Sequence, residues 1–165
     1  MSELDKYTDA IAKAAGTKTF CVLPWIHFAT RPNGDMRLCC SSNASGAGGD
    51  HEVGLVKMNH GKPANFGHET PMEAWNNDYM KNVRTTMLEG NIPASCKKCF
   101  EEEKKGVASK RVWESYTWME DGVDIPELVR QTKEDGTVPE NLKYLDLRLG
   151  HTCNIKCVMC SPHDS

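Results

Sequence analysis

Residues 20–40 read FCVLPWIHFATRPNGDMRLCC, and this stretch decides how the N-terminal half of the chain folds. Two runs of apolar residues flank the segment RPNGD at positions 31–35. An Asn-Gly step between two β-prone runs is a strong hairpin signal, because both residues tolerate the positive φ of a tight turn. The pattern therefore predicts a β-hairpin with Cys21 and Cys39 on or near its two arms.

Helical patterns flank this hairpin in the sequence. Ser2 is a candidate N-cap for a short helix that ends at Gly16. Further along, Thr70 can cap a second helix, with Glu73 completing a capping box. We expect this helix to run unbroken up to Gly90, which stands where a C-terminal glycine belongs. Its apolar face comprises Met72, Trp75, Tyr79, Met80, Val83 and Met87.

The remaining stretches give weaker patterns. GLVKM at 54–58 is a candidate strand, and the charged stretch 100–118 is a candidate helix whose charged run is expected to face solvent. A turn-rich segment at 134–141 precedes YLDLRL at 144–149. Strict alternation of apolar and polar residues in the latter predicts a strand with one apolar face.

Composition excludes several classes of protein. The chain has 165 residues and a formal net charge of -3, so it lacks the basic surface of a dedicated nucleic-acid binder. No apolar run approaches the roughly 20 residues that a membrane helix needs. We expect a soluble, cytoplasmic protein with no nucleic-acid or membrane partner. Its eight cysteines then indicate metal or redox chemistry rather than disulfides.

Four of these cysteines form a first candidate metal site. Cys21 and Cys39 belong to the predicted hairpin, and Cys96 and Cys99 form a Cys-x-x-Cys pair after a helix. Four thiolates in this arrangement can converge on one iron–sulfur cluster or on one zinc ion, and the spacing alone does not choose the metal. Cys40 is an alternative to Cys39, since adjacent residues at a strand end point to opposite sides. The spacing favours Cys39.

Three more cysteines follow the predicted strand at 144–149. Cys153, Cys157 and Cys160 lie in the segment CNIKCVMC, which is compact enough to bring three sulfurs to three corners of one iron–sulfur cube. Three ligands leave one iron open to a small molecule. The alternative is a zinc site in which His151 or His163 supplies a fourth ligand.

The segment Cys153-x-x-x-Cys157-x-x-Cys160 after a strand resembles the signature loop of radical SAM enzymes. This resemblance implies a [4Fe–4S] cluster whose open iron chelates S-adenosylmethionine. Reductive cleavage of that cofactor would give a 5′-deoxyadenosyl radical. Met159 stands where the family usually has an aromatic residue near the adenine, so it is a candidate cofactor contact.

The four-cysteine set resembles the SPASM/twitch module that many radical SAM enzymes carry. The resemblance includes Gly34, five residues before Cys39, and the segment from Glu73 through Arg84 to Cys99. It implies that Cys21, Cys39, Cys96 and Cys99 hold one auxiliary [4Fe–4S] cluster, as in the single-cluster twitch version. Here the module precedes the signature loop, whereas in most of these enzymes it follows the barrel.

Together these patterns predict an α+β fold with four parts. The expected divisions are an N-terminal helix at 1–20, a twitch-like module of hairpin and helices at 21–120, a linker at 121–142, and the start of a (β/α) radical SAM barrel at 143–165. A complete barrel takes on the order of 200 residues. We therefore expect this chain to hold only the first strand and cluster loop of the barrel, and to turn over S-adenosylmethionine poorly by itself.

Two functions remain open at this point. The resemblance implies part of a radical SAM oxidoreductase or maturase that acts on peptides, carbohydrates or small metabolites and takes electrons from a reducing donor. The alternative is a non-catalytic iron–sulfur or zinc-binding module that acts in partner docking or electron transfer.

Overall fold

The computed structural model describes residues 2–42 and 51–148. Within these ranges short helices surround a small sheet. The α-helices are α1 Glu3–Ala15, α2 Leu23–Ile26, α3 Pro71–Trp75, α4 Asp78–Leu88, α5 Lys97–Lys104, α6 Lys110–Glu120 and α7 Ile125–Gln131. The strands are β1 His27–Thr30, β2 Met36–Arg37 and β3 Tyr144–Asp146, and two 3-10 helices span His51–Gly54 and Ala94–Cys96. A mixed α+β fold is therefore confirmed.

The hairpin predicted from residues 20–40 is present. Strand β1 pairs antiparallel with β2, with Thr30 opposite Met36. The turn closes through the Arg31 N–H, which donates to the Asp35 carbonyl at 2.9 Å, and Gly34 takes the positive φ of 89° that the turn requires. Cys39 follows the second arm, while Cys21 lies before α2 rather than on a strand.

Strand β3 joins the same sheet on the other side of β1. The sheet order is β2-β1-β3, and β3 runs parallel to β1 with His27 opposite Tyr144. The strand predicted at 144–149 is thus present but shorter, and it pairs with the hairpin. Its apolar side is uncovered in part, since Leu145 and Leu147 are 37% and 45% exposed. Residues 2–42 and 51–148 contain this one sheet and no barrel.

The prediction of one continuous helix from Pro71 to Gly90 is wrong in one respect, because the structure has two helices there, α3 and α4. Thr70 and Glu73 form the predicted capping box of α3, but Asn77 starts a new helix by accepting from the Met80 N–H at 2.9 Å. Asn76 leaves the helix to donate to the Val138 carbonyl at 2.9 Å. Both helices bury residues in the core, among them Trp75 of α3 and Met80 of α4.

Arg84 of α4 connects three separate segments in the interior. Its side chain is fully buried, yet within the described residues it bonds only to neutral acceptors. The guanidinium donates to the carbonyls of Pro24 at 2.9 Å, Trp75 at 2.8 Å and Gly136 at 3.2 Å. A fourth bond reaches the Asn76 side-chain oxygen at 3.0 Å. Arg84 thereby supplies a donor for the Trp75 carbonyl at the end of α3, which has no partner within that helix, and ties α3 to α2 and to the coil at Gly136.

The stretch 121–142, expected to be a linker, contains α7 and contributes to the core. Ile125 and Leu128 of α7 are buried, as is Val138 in the following coil. The Trp75 indole N–H donates to the Pro139 carbonyl at 3.0 Å, which ties this coil to α3. Residues that separate two sequence patterns therefore pack as part of the folded unit. α1 packs against α6 and α7, and it begins and ends at Ser2 and Gly16 as predicted.

Two further expectations need correction. Residues 54–58 do not form a regular strand; only isolated bridges join Leu55 to Arg37 and Lys57 to Pro63. The charged stretch 100–118 is not one helix, because α5 ends at Lys104 and α6 starts at Lys110. None of the helices in the described residues is long and apolar enough to cross a membrane.

His27 joins β3 to β1 through its side chain as well as its backbone. Its Nδ1 lies 3.0 Å from the Tyr144 carbonyl, and its ring stacks on the Tyr144 ring with centroids 4.3 Å apart. The histidine is fully buried and its Nε2 has no partner among the described residues. Burial lowers the pKa of His27 to about 4, with a smaller opposite contribution from the Tyr144 carbonyl.

This burial predicts acid sensitivity. The fold favours the neutral form of His27, so the contribution of this residue to the free energy of unfolding is complete above its unfolded pKa near 6.5. This contribution, about 3 kcal/mol, is lost as the pH falls towards 4. Lys110 favours the neutral ring, whereas Glu114 and Asp146 oppose this effect. We expect the urea midpoint of unfolding to drop between pH 7.5 and pH 5, and His27→Gln to flatten this slope. Equal slopes in both proteins would contradict the assignment.

Candidate metal centre

The cysteines of the first set come from four short segments. Cys21 lies just before α2, and Cys39 lies two residues beyond the end of β2. Cys96 ends the second 3-10 helix, and Cys99 occupies the first turn of α5. The change of helix type between Cys96 and Cys99 brings this pair to the same place in the fold as the hairpin cysteines.

All four cysteines line one small cavity. Three of them are less than a tenth exposed, and Cys96 is partly buried. Much of the remaining wall is apolar, and it is supplied by Leu23, Pro24, Leu38 and Met87. The sequence set of Cys21, Cys39, Cys96 and Cys99 is therefore brought together in space.

Electrostatics require a positively charged occupant if these thiols ionise together. Burial is the main cause that raises the pKa of each of the four thiols, to about 12 for Cys39. A second cause is mutual repulsion, since Cys21 and Cys39 each interact with the Cys96–Cys99 pair. Bound iron or zinc would reverse both effects, because metal coordination deprotonates a thiol.

Each sulfur also has a nearby hydrogen-bond donor. These donors lower the thiol pKa against the effect of burial, so they favour the thiolate that binds metal. They are the Leu23 N–H at Cys21, the Ser41 N–H at Cys39, the Ser95 hydroxyl at Cys96 and the Arg111 N–H at Cys99. The nearby Ser109 hydroxyl donates to the Glu103 carboxylate. The four donors oppose the effect of burial without overcoming it, since the pKa of each thiol stays raised.

The turn that carries Cys39 is fixed by Ser42. The Ser42 hydroxyl donates to the Cys39 carbonyl at 2.6 Å and lies 3.2 Å from the Gly54 carbonyl. Gly54 approaches so closely that a Cβ atom there would lie 2.2 Å from the Ser42 carbonyl oxygen. Because residue 54 is glycine, the segment that contains it packs directly against the turn at Ser42. This contact positions Cys39 at the cavity.

Cys40 points elsewhere. It does not line the cavity, and its Sγ lies 4.0 Å from the Ser41 hydroxyl. Cys39 is the residue of this adjacent pair that shares the cavity with the other three cysteines.

Zinc binds sulfur at about 2.3 Å, so a zinc site needs its ligands to converge on one point. Among residues 2–42 and 51–148, no three His, Cys, Asp or Glu side chains converge in a way that could hold a single metal ion.

The sequence patterns did not predict two residues with cationic side chains that line the cavity. Lys110 and Arg111 line the cavity, and the Arg111 side chain is only 4% exposed. The expectation that the charged run lies on a solvent-exposed helix face is therefore wrong at Lys110 and Arg111. The local signal for this turn is Ser109, which caps α6 by accepting from the Val112 N–H. No local pattern indicates that this turn faces the cysteines.

The second set of cysteines lies outside the described residues. Cys153, Cys157 and Cys160, together with Met159, follow the last described residue, Arg148. Their roles therefore stay predictions.

Comparison with known families supports the first set. The sequence model of one family, described as SPASM: Iron-sulfur cluster-binding domain, matches residues 21–100. This range begins at Cys21 and ends one residue beyond Cys99, so it encloses the whole four-cysteine set. No curated protein and no solved structure matches the chain. Residues 21–100 thus resemble an SPASM-type module, and the description of that family supports an iron–sulfur cluster as the group that the four cysteines would hold.

Proposed function

We propose that this chain binds two iron–sulfur clusters as part of a radical SAM enzyme. In this proposal Cys21, Cys39, Cys96 and Cys99 hold an auxiliary [4Fe–4S] cluster. The observation that carries it is the cavity that these four buried cysteines line within the module matched at 21–100. The family match, whose description names an iron–sulfur cluster-binding domain, favours a cluster over zinc.

The catalytic part of the proposal rests on the terminal cysteine segment. Cys153, Cys157 and Cys160 would hold a second [4Fe–4S] cluster with one iron open to S-adenosylmethionine, and Met159 would contact that cofactor. When bound, this cluster supplies the electron for reductive cleavage of the sulfonium. Support comes from the spacing of the three cysteines and from β3, which precedes them as a strand precedes the signature loop in the family.

The chain's own residues have binding and shielding roles in this proposal. The apolar wall around the four cysteines excludes water from the auxiliary cluster, and the donors at each sulfur stabilise its thiolates. The substrate would be a peptide, a carbohydrate or a small metabolite, and a reducing electron donor would serve as the partner. We propose these classes from the family resemblance.

Iron counting on the full chain tests the proposal. After anaerobic reconstitution with iron and sulfide we expect about eight irons per chain, four for each cluster. The variant Cys153→Ala/Cys157→Ala/Cys160→Ala, here called the triad variant, should retain about four irons. Addition of S-adenosylmethionine should change the EPR signal of the reduced wild-type chain and leave that of the triad variant unchanged.

The contrary outcomes separate the two parts of the proposal. About four irons in both proteins, with no response to S-adenosylmethionine, would leave an iron–sulfur module for electron transfer or partner docking. Stable zinc and no iron uptake would overturn the auxiliary cluster itself.

A further inference from the structure

A groove lies at the edge of the sheet where β1 and β3 end. The two strands run parallel, so Thr30, the last residue of β1, and Leu147, just beyond β3, meet at the same edge. The Arg148 N–H donates to the Thr30 hydroxyl oxygen at 2.8 Å and joins the two strand ends. In sheets with parallel strands, the space beyond the carboxyl ends of the strands is a common position for a ligand.

The other wall of the groove is the hairpin turn, with the segment around Asn65 packed on it. The Asn65 Nδ2 donates to the Asn33 carbonyl at 3.0 Å and to the Asp35 Oδ1 at 2.9 Å. The Phe66 N–H donates to the Gly34 carbonyl at 3.0 Å. A Cβ atom at Gly34 would lie 2.9 Å from the Asn65 Oδ1, so glycine is needed for this close packing. These contacts hold the wall in place without a ligand.

The groove has the size and the apolar lining of a small-molecule site. Its volume is about 350 Å³, which is within the range of ligand pockets. Phe66 and Leu147 line it and are 39% and 45% exposed, and Pro32 adds a third apolar side chain. A ligand in the groove would remove this apolar surface from water, which favours binding.

Arg148 is the only ionisable residue among the described residues that line the groove. Its side chain is exposed, and no carboxylate of the described residues forms an ion pair with it. Asp35 does not line the groove, and its carboxylate accepts from the Asn33 and Asn65 amides. An arginine without a carboxylate partner beside an apolar groove suits a carboxylate or a phosphate, which its planar guanidinium can bind through two hydrogen bonds.

Arg37 adds positive charge near this end of the sheet. Burial lowers the pKa of Arg37, and the positive charges of Arg31 and Arg148 lower it further, so both lie within electrostatic range of Arg37. The Arg37 Nε is buried and has no partner among the described residues. Asp146, two positions before Arg148, forms an ion pair with neither Arg37 nor Arg148. This grouping of charge favours an anionic ligand over a cationic one.

We propose that this groove binds an amphipathic anion. The ligand is a small molecule whose apolar or aromatic body packs on Phe66 and Leu147 and whose carboxylate or phosphate pairs with Arg148. Binding itself requires neither set of cysteines, since no cysteine is among the described lining residues. As a statement about the substrate, the inference rests on the proposed function, and it narrows the substrate to acids or phosphate esters with an apolar part.

Phenyl phosphate is a suitable probe, because it combines an aromatic ring with a phosphate. Isothermal titration calorimetry on the reconstituted full chain should show one site that binds phenyl phosphate more tightly than inorganic phosphate, which lacks the ring. Phenol, which lacks the charge, should also bind more weakly. Equal affinity for phenyl phosphate and inorganic phosphate, or no binding of phenyl phosphate, would overturn the proposal.

Substitutions in the groove separate the two parts of the ligand. Arg148→Gln should weaken the binding of phenyl phosphate about tenfold, through loss of a hydrogen-bonded ion pair. Arg148→Lys should lose less, since it keeps the charge. Phe66→Ala should weaken the binding of phenyl phosphate about threefold and leave that of inorganic phosphate unchanged.

Two exposed residues outside the groove supply matched controls. Arg130 lies on α7 and Ile92 precedes the second 3-10 helix, and neither lines the groove. Arg130→Gln and Ile92→Ala should therefore leave the affinity for phenyl phosphate unchanged. Urea unfolding of each variant measures any loss of structure. An equal affinity in the wild-type chain and in Arg148→Gln would contradict the role of Arg148.

S-adenosylmethionine must be distinguished from a separate ligand, because it also combines a carboxylate with an aromatic ring. In the triad variant phenyl phosphate should bind as in the wild-type chain, and S-adenosylmethionine should not displace it. Displacement would assign the groove to that cofactor and overturn its assignment to the substrate. Iron uptake without binding of phenyl phosphate would overturn the groove alone, whereas binding without iron uptake would overturn the proposed function and leave the groove.

Discussion

Cys39→Ala is expected to remove nearly all iron from the triad variant, whereas Cys40→Ala is expected to leave about four irons per chain. The two substitutions delete the same thiol group from adjacent positions. Only Cys39 lines the cavity with the other three cysteines. Loss of a ligand leaves one iron of the cluster uncoordinated, and no other thiol of the described residues lies on the cavity wall to replace it.

Anaerobic reconstitution, iron and sulfide assays and the visible absorbance of the cluster provide the measurement. Metal binding contributes to folding free energy, so Cys39→Ala should also lower the unfolding midpoint of the reconstituted protein. The opposite pattern, with iron lost in Cys40→Ala and kept in Cys39→Ala, would reverse the ligand assignment. Equal retention in both would show that neither thiol is a ligand.

Arg84→Met is expected to destabilise the folded chain by about 3–5 kcal/mol, a large fraction of the stability of a domain this size. Methionine has a similar length but no hydrogen-bond donors. It would leave the buried carbonyls of Pro24, Trp75 and Gly136 without their partner, and each such group costs about 1–3 kcal/mol. Removing the buried charge offsets part of this loss, because burial alone lowers the pKa of Arg84 to about 9.

Arg130→Met is the matched control. Arg130 is 76% exposed and pairs only with Glu127 on its own helix among the contacts seen here. Its replacement should change stability by less than about 1 kcal/mol, as for other exposed ion pairs. Urea unfolding of the reconstituted chain, followed by tryptophan fluorescence, compares the two variants. Equal midpoints for Arg84→Met and Arg130→Met would rule out the central role of Arg84.

Local patterns in the sequence predicted the parts of the fold that local contacts stabilise. The turn at Asn33-Gly34 and the caps at Ser2 and Thr70 involve partners a few residues away, so their residue types are sufficient to recognise them. The four cysteines were grouped correctly in space for a similar reason, because a hairpin and a Cys-x-x-Cys pair are compact units. The family match at 21–100 agrees with this grouping.

The missed features depend on contacts between distant parts of the chain. The break between α3 and α4 is stabilised by Asn76, whose partner Val138 lies 62 positions away. Arg111 was assigned to a solvated face, but its guanidinium bonds to the Phe20 carbonyl, 91 positions away. The helical patterns around Asn76 and Arg111 do not indicate these partners. The partners are backbone carbonyls, which every residue type has.

The parallel pairing of β3 with β1 affects how the protein avoids aggregation. Pairing His27 with Tyr144 closes a loop of 117 positions, whereas the hairpin turn closes over a few residues. The loss of chain entropy is therefore larger for the pairing of β3. We expect β3 to dock after the hairpin has formed. Until it docks, β1 presents an open row of backbone donors and acceptors beside an apolar core. Such an edge can pair with another chain. In the folded protein β3 covers this edge of β1 and leaves its own short strand of three residues as the new border.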